Sequence, residues 1–250
     1  IESGRYLKAA AQNGHIESNY DFGMMLFKGI GLKADQEEAS HYFKTAALLG
    51  CVPAMYSYGL ILNEGLGVPV NKKESMKYFK MAADNDDIDS MKFLISLKES
   101  DEFDPSIYPI DNEDEARYCK IVADDGDVEY MHKFGVICKN GDGVPVNLKK
   151  ALKYFKKAAD KGDLDSLHDY AVMLMNGEGI DQNKEEAINL LKSAADQGNA
   201  ISMFDYGMKL YQGDGIAKNK KEAAKYIKLA ADHGLKEAML KYSNMLRKGD

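Results

Sequence analysis

The chain has 250 residues and a formal net charge of −7, from 33 basic and 40 acidic side chains. This length is sufficient for a buried core, and the hydrophobic content of 45% excludes bulk disorder. An acidic chain binds nucleic acid poorly, because affinity for phosphate requires a concentrated basic surface. The longest nearly apolar stretch, from Ala46 to Met55, is too short to span a bilayer. We therefore expect neither nucleic-acid binding nor membrane insertion.

A repeat of 36 residues organises the chain. Its marker is a pair of glycines separated by one residue, and the pairs follow each other at steps of 36 residues, except for one step of 76 that equals a repeat of 36 and one of 40. The pairs are Gly29 and Gly31, Gly65 and Gly67, Gly141 and Gly143, Gly177 and Gly179, and Gly213 and Gly215. Pairs of alanines recur with the same period, and 250 residues hold about seven such repeats.

Each repeat is predicted to form two helices, here named its first and its second helix. In the first helix from Cys51 to Glu64, apolar residues recur at helical spacing, and Gly65 supplies the left-handed conformation that ends a helix. The second helix begins at an N-cap residue with an acid three residues later, as at Asn71 and Glu74. One helix pair cannot bury both of its apolar faces, so neighbouring pairs are expected to stack into a solenoid.

A small residue recurs in the middle of each first helix. We interpret this position as the close crossing of two helices and not as a catalytic feature. The residues are Gly23, Gly59, Gly135, Ala171, Gly207 and Ser243.

One repeat departs from the pattern between its helices. Residues 99–110 replace the short glycine turn with a segment that is four residues longer, and Asp111 then resumes the series of N-cap residues. The segment is interpreted either as an insertion tolerated in a surface loop or as a flexible joint or acidic contact site. Residues 1–250 are predicted to form one solenoid domain that includes this atypical loop.

The repeated residues resemble those of the Sel-one-like repeat (SLR) family, which is related to the tetratricopeptide repeat. One clear copy contains Ala54, Tyr58-Gly59, Leu62, Gly65-x-Gly67-Val68, Asn71, Ser75 and Ala82-Ala83. The resemblance implies an all-α, right-handed solenoid of antiparallel helix pairs. It also implies a non-catalytic scaffold or adaptor that binds peptide or helical segments of a protein partner in a concave groove.

Motifs for catalysis are missing from the sequence. It contains no Walker A motif, nucleophile elbow, HExxH or CxxC, so we predict no enzyme activity, catalytic residue, metal or cofactor. Two alternatives remain open: the array is the partner-binding appendage of a larger catalytic chain such as a kinase, or it resembles secreted SLR proteins described as β-lactam hydrolases. The second requires a Ser-x-x-Lys motif or a triad, and neither is evident.

The three cysteines cannot form a disulfide framework in a chain of this size, and Cys119 and Cys138 fall at core positions as expected for buried free thiols. Together with the absence of an Asn-x-Ser/Thr sequon, this favours a reducing, cytoplasmic location. The chain begins at Ile1, so we expect a trimmed N-terminus. The oligomeric state is not set by the sequence.

By resemblance to tetratricopeptide arrays, the first helices line the concave side, and their inward positions carry two apolar clusters. The N-terminal cluster is Tyr20, Met24, Phe27, Tyr56 and Leu60, and the C-terminal cluster is Val172, Met175, Phe204, Met208 and Tyr211. An apolar surface of this kind is expected to be buried. Either a partner protein covers it, or the superhelix is tight and these residues bury each other as additional core.

His132 and His168 occupy the same inward position in successive repeats. They either converge on a shared ion or acidic group, or simply line the groove. With no third ligand indicated, a metal site is not predicted.

Overall fold

The computed structural model describes residues 2–101, 103–108 and 110–248. Within these residues the chain forms fourteen helices and no strand, which confirms the all-α prediction. No helix in the described ranges is long and apolar enough to cross a membrane. The chain divides into two compact bodies, an N-terminal body of residues 1–122 and a C-terminal body of residues 123–250. The prediction of a single domain stays a prediction.

Even-numbered helices are the first helices of the repeats, and odd-numbered helices are the second helices. The N-terminal body contains α1 (Glu2–Gln12), α2 (Ile16–Lys28), α3 (Gln36–Leu48), α4 (Val52–Glu64), α5 (Lys72–Ala83) and α6 (Ile88–Lys98). Helix α7 (Asn112–Asp125) contains the division between the bodies. The C-terminal body contains α8 (Val128–Asn140), α9 (Leu148–Ala159), α10 (Leu164–Asn176), α11 (Lys184–Asp196), α12 (Ala200–Gln212), α13 (Lys220–Asp232) and α14 (Lys236–Lys248).

The turn inside a repeat is closed by main-chain atoms. Gly65 ends α4 with φ of 73°, and its N–H donates to the carbonyl of Ile61. The N–H of Asn71 then donates to the carbonyl of Leu62 at 2.8 Å. The same closure recurs between Asp35 and Leu26, Asn147 and Cys138, Asn183 and Leu174, and Asn219 and Leu210.

The predicted N-caps of the second helices are confirmed, with one difference from the expected capping box. The Asn71 side-chain oxygen accepts from the N–H of Glu74 at 3.1 Å. The Glu74 carboxylate accepts from the Asn71 side-chain amide at 3.0 Å and not from the backbone N–H of Asn71. The backbone N–H of Asn71 already donates to the carbonyl of Leu62. The Glu74 carboxylate therefore accepts from the side-chain amide of Asn71, which is the remaining donor of the cap residue.

The recurring small residues lie where paired helices cross. A β-carbon added at Gly135 would lie 2.6 Å from the ring of Phe155, and one added at Gly207 would lie 2.8 Å from Ile227. Such distances are shorter than any ordinary contact, so a larger side chain would force the helices apart. The structure therefore confirms a packing role at these positions.

The atypical loop between α6 and α7 is anchored by apolar side chains. Tyr108 is only 1% exposed and Ile110 is buried as well. The side chain of Lys98 at the end of α6 donates to Asn112 and Glu115 of α7, both at 2.6 Å. Two positions of the predicted segment, Glu102 and Pro109, lie outside the described residues.

The interpretation of the cysteines is also confirmed. Cys119 and Cys138 are buried and Cys51 is half-buried, and none of the three forms a disulfide.

Candidate partner-binding surface

The N-terminal cluster lies half-buried along α2 and α4 of the N-terminal body. Tyr20, Met24, Phe27 and Tyr56 pack against the core from its edge, and Leu60 is similarly half-buried. Second-helix rings hold this edge in place, since the ring centres of Tyr20 and Tyr56 lie 5.8 and 5.7 Å from those of Phe43 and Phe79. Each of the five predicted residues therefore packs against the core on one side and is accessible to a partner on the other.

Three of these residues line one cavity of about 320 Å³. Met24 and Phe27 come from α2 and Leu60 from α4, and the floor is formed by Phe43, Ile61 and Leu66. Lys28, Ser57 and Glu64 complete the rim. An apolar cleft of this size with a few polar groups at its mouth has the composition of a ligand pocket. It has room for a bulky apolar side chain.

The C-terminal cluster is only partly available. Val172, Phe204, Met208 and Tyr211 are half-buried. Met175 was predicted to line the groove, but it is 5% exposed and belongs to the core of the C-terminal body. Its side chain belongs to the same buried cluster as residues of α11 and α12, which a quarter-turn offset from the core stripe does not reveal.

The predicted pair of histidines meets a shared acidic group. The Nε2 of His132 lies 2.9 Å from Asp169 Oδ2, and the Nδ1 of His168 lies 3.6 Å from Asp169 Oδ1. The Nε2 of His168 lies 2.8 Å from Asp205 Oδ2. These residues form a His–Asp ladder across α8, α10 and α12. Of the two interpretations, the structure supports convergence on an acidic group.

The ladder fixes the charges of its members. Burial would lower the pKa of His168, but hydrogen bonds to Asp169 and Asp205 outweigh it and raise the pKa to about 9. The hydrogen bond to Asp169 likewise raises the pKa of His132. Burial would raise the pKa of Asp169, yet its two histidine partners hold it well below its usual range. Histidines held as cations between carboxylates are poorly suited to act as bases at neutral pH.

Asp169 and Asp205 were not predicted as partners of these histidines. The signal was available, because each aspartate follows its histidine by 37 residues, one repeat plus one position. Among the described residues, no group of three or more histidine, cysteine or acidic side chains has the arrangement to hold a metal ion.

Comparison with known proteins decides the family. The family model named Sel1 repeat matches residues 16–51, 52–87, 128–163, 164–199 and 200–235. The chain belongs to the Sel1-repeat family. The repeat with the long loop, residues 88–127, lies between the matched segments.

Solved Sel1-repeat structures share the fold. A protective antigen of uropathogenic Escherichia coli strains that displays an SLR fold is 27% identical, with a TM-score of 0.65. The alignment covers 98% of this chain and 52% of that one, so the chain spans about half the length of the E. coli protein. A Sel1 repeat protein from Oxalobacter formigenes is 24% identical over 99% of this chain and 71% of its own, with a TM-score of 0.63. No curated protein sequence gives a significant match. The predicted all-α solenoid class is the one that these relatives display.

Proposed function

We propose that the chain is a non-catalytic scaffold that binds peptide or helical segments of partner proteins along its first helices. Sel1-repeat proteins generally mediate protein–protein interactions, and the family is generally a non-catalytic interaction fold. The observation that most supports the proposal is the 320 Å³ cavity beside Met24, Phe27 and Leu60.

The proposed mechanism is the anchoring of an apolar side chain. A few aromatic or aliphatic anchors provide most of the free energy of binding at protein interfaces, and they enter well-packed pockets. The rings of Phe27 and Phe43 form such a wall, with their centres 6.2 Å apart. Met24 adds a side chain that adapts to partners of different shape.

The experiment selects peptides from a displayed random library on the immobilised chain and measures their affinity by calorimetry. Leu60→Asp places a charge at the cavity, and we expect a loss of affinity of at least about tenfold, because an anchor is worth about 2 kcal/mol. The matched control is Ser96→Asp, at the same repeat position but on an exposed site of α6. Equal binding of the selected peptides to both variants would remove this cavity from the proposed function.

A further inference from the structure

Two leucines stand where every other repeat has polar residues. The second helix α3 ends at Leu48 and is followed by its C-cap residue Leu49, and these leucines are 67% and 44% exposed. The corresponding pairs are Gln12-Asn13, Asp84-Asn85, Asp124-Asp125, Asp160-Lys161, Asp196-Gln197 and Asp232-His233. Two adjacent exposed leucines that replace polar residues on a solvent face require an explanation.

The aspartate at this position has a defined role in other repeats. In the C-terminal body, Asp196 accepts a hydrogen bond from the Tyr226 hydroxyl at 2.7 Å and pairs with Lys192 at 2.6 Å. Asp84 and Asp124 likewise accept from a tyrosine hydroxyl of the next second helix, at 3.0 and 2.6 Å. The carboxylate thus connects neighbouring second helices.

Both donors are retained beside Leu48, but the carboxylate is not. Lys44 and Tyr78 occupy the repeat positions of Lys192 and Tyr226. The Lys44 ammonium lies over the Tyr58 ring, 5.9 Å from its centre, and its charge lowers the pKa of Tyr78 against the larger effect of burial, which raises it. Tyr78 is held edge-on by Tyr58 with ring centres 4.7 Å apart, as Tyr226 is by Tyr206 at 4.8 Å. Within the described ranges, no carboxylate pairs with Lys44 or with the Tyr78 hydroxyl.

Tyr78, one of the two donors, lines a cleft of about 370 Å³. Leu48, Tyr78 and Met81 supply its apolar lining, and Met81 is 40% exposed. Lys73 and Lys77 line it as well. The one acid in the lining, Glu74, already accepts from Asn71 at 3.0 Å. The cleft therefore combines apolar area with an excess of positive charge.

We infer that this cleft binds an acidic, leucine-containing segment of a partner protein, with a partner carboxylate accepting from Tyr78 and Lys44. The apolar side chains of that segment cover Leu48 and Leu49. A basic segment would meet the two lysines of the cleft lining, and a purely apolar one would leave the Tyr78 hydroxyl unmatched. The cleft lies on the second helices and is lined by none of the residues around the 320 Å³ cavity.

The test measures fluorescence anisotropy with three labelled helical peptides of about twelve residues. The peptides share the same leucines and differ only in carrying glutamates, glutamines or lysines at the remaining exposed positions. We expect the glutamate peptide to bind at least about tenfold more tightly than the glutamine peptide, and the lysine peptide not to bind. No binding of the glutamate peptide at about 1 mM, or equal binding of all three, would overturn the inference.

Two variants separate recognition from folding. Leu48→Asp restores the residue type of the other repeats, so we expect an unchanged or higher melting temperature together with at least about a tenfold loss of glutamate-peptide affinity. Tyr78→Phe removes only the hydroxyl and should reduce the preference for glutamate over glutamine, leaving the affinity for the glutamine peptide unchanged. If both variants bind the glutamate peptide as the wild type does, the cleft is not the site.

The C-terminal body offers a matched gain-of-function control. Its corresponding cleft is lined by Asp196 in place of Leu48, and the remaining charged and apolar positions agree in type. The agreeing pairs are Lys73 and Lys221, Glu74 and Glu222, Lys77 and Lys225, Tyr78 and Tyr226, and Met81 and Leu229. The double change Asp196→Leu and Gln197→Leu should raise the number of glutamate peptides bound per chain from one to two. An unchanged stoichiometry would contradict the inference.

Two other binding partners of the cleft, a membrane surface and a second copy of the chain, would give results that differ from those expected for an acidic segment. Vesicles of phosphatidylcholine with phosphatidylserine that bind the wild type but not Leu48→Asp would assign the leucines to a membrane surface. Self-association in sedimentation velocity that Leu48→Asp abolishes would assign them to a second copy of the chain. Either outcome would overturn the inference of an acidic partner segment.

Discussion

Asp86 is the one described residue other than glycine with a positive φ, at 63°. It follows the second helix α5 at a position where the other repeats have glycine. These are Gly14, Gly50, Gly126, Gly162, Gly198 and Gly234, all with positive φ. A β-carbon in the left-handed region costs an L-residue roughly 1–2 kcal/mol, although aspartate tolerates it better than most.

Replacement of Asp86 by glycine is expected to raise the free energy of unfolding by about 0.5–1 kcal/mol, because relief of the backbone strain outweighs the added freedom of the unfolded chain. Urea denaturation followed by circular dichroism measures the change. The reverse substitution Gly50→Asp serves as the control, since nothing lies within 4 Å of an added β-carbon there and only the backbone is strained. Destabilisation by Asp86→Gly would mean that the aspartate side chain contributes more than the strain costs.

Individual residues differ in how well the sequence predicts them. N-caps such as Asn71 and helix-ending glycines such as Gly65 are predictable, because their contacts lie within a few residues of the chain. The burial of Met175 was not predictable from its spacing. It depends on the rotation of α10 against neighbouring helices, and a few tens of degrees decide whether a flanking position faces the core.

The long loop between α6 and α7 shows what an element can add beyond its helices. The N–H of Tyr108 donates to the carbonyl of Asp104 at 2.8 Å, and the ring stacks at 6.3 Å from Phe103. Asp111 caps α7 by accepting from the N–H of Asp114 at 2.8 Å, as the sequence predicts. The packing of Tyr108 was not predicted, because no repeat supplies a template for this segment.

Tyr108→Ala is expected to lower the free energy of unfolding by about 3–5 kcal/mol, the range for a fully buried aromatic side chain, although the residue lies in a loop. Thermal and urea denaturation measure the loss. Phe103→Ala, at a half-buried position of the same loop, should cost clearly less. Similar small effects for both would show that the loop is an insertion that adds nothing to the core.

At the scale of the whole molecule, the 36-residue period was sufficient to predict the fold class, because a repeated helix pair has few ways to bury its faces. The functional surface is harder to predict. A half-buried aromatic ring can either complete the edge of the core or anchor a bound partner, and the sequence does not distinguish these two roles. The His–Asp ladder is easier to predict than the functional surface but harder than the fold class. Its pairs follow from the repeat once the spacing of 37 residues between each histidine and its aspartate is noticed.

The ladder predicts a pH dependence of the stability of the C-terminal body. His168 has a folded pKa of about 9 and an unfolded pKa of about 6.5. The stabilisation is therefore fully present below about pH 6.5 and is lost as the pH rises through about 9, up to about 3 kcal/mol. His132, whose pKa is also raised by Asp169 and by the nearby Asp163 and Asp165, adds in the same direction.

Urea midpoints between pH 6 and pH 10 measure this dependence. Lysines and tyrosines titrate towards the upper end of that range, so the double variant His132→Gln and His168→Gln serves as the reference. The wild type should lose more stability than the variant between these limits. Parallel curves would show that folding does not raise the pKa values of these histidines.

The main-chain closure of the turns, from Asn71 to Leu62 and its counterparts, has an evolutionary consequence. A turn closed by backbone hydrogen bonds and positive-φ glycines depends little on the identity of the surrounding side chains. Duplicating such a segment copies its joint intact, and later exchanges on the outer faces need no compensating change within it. The array can therefore lengthen, and acquire differences such as Leu48 for aspartate, one repeat at a time.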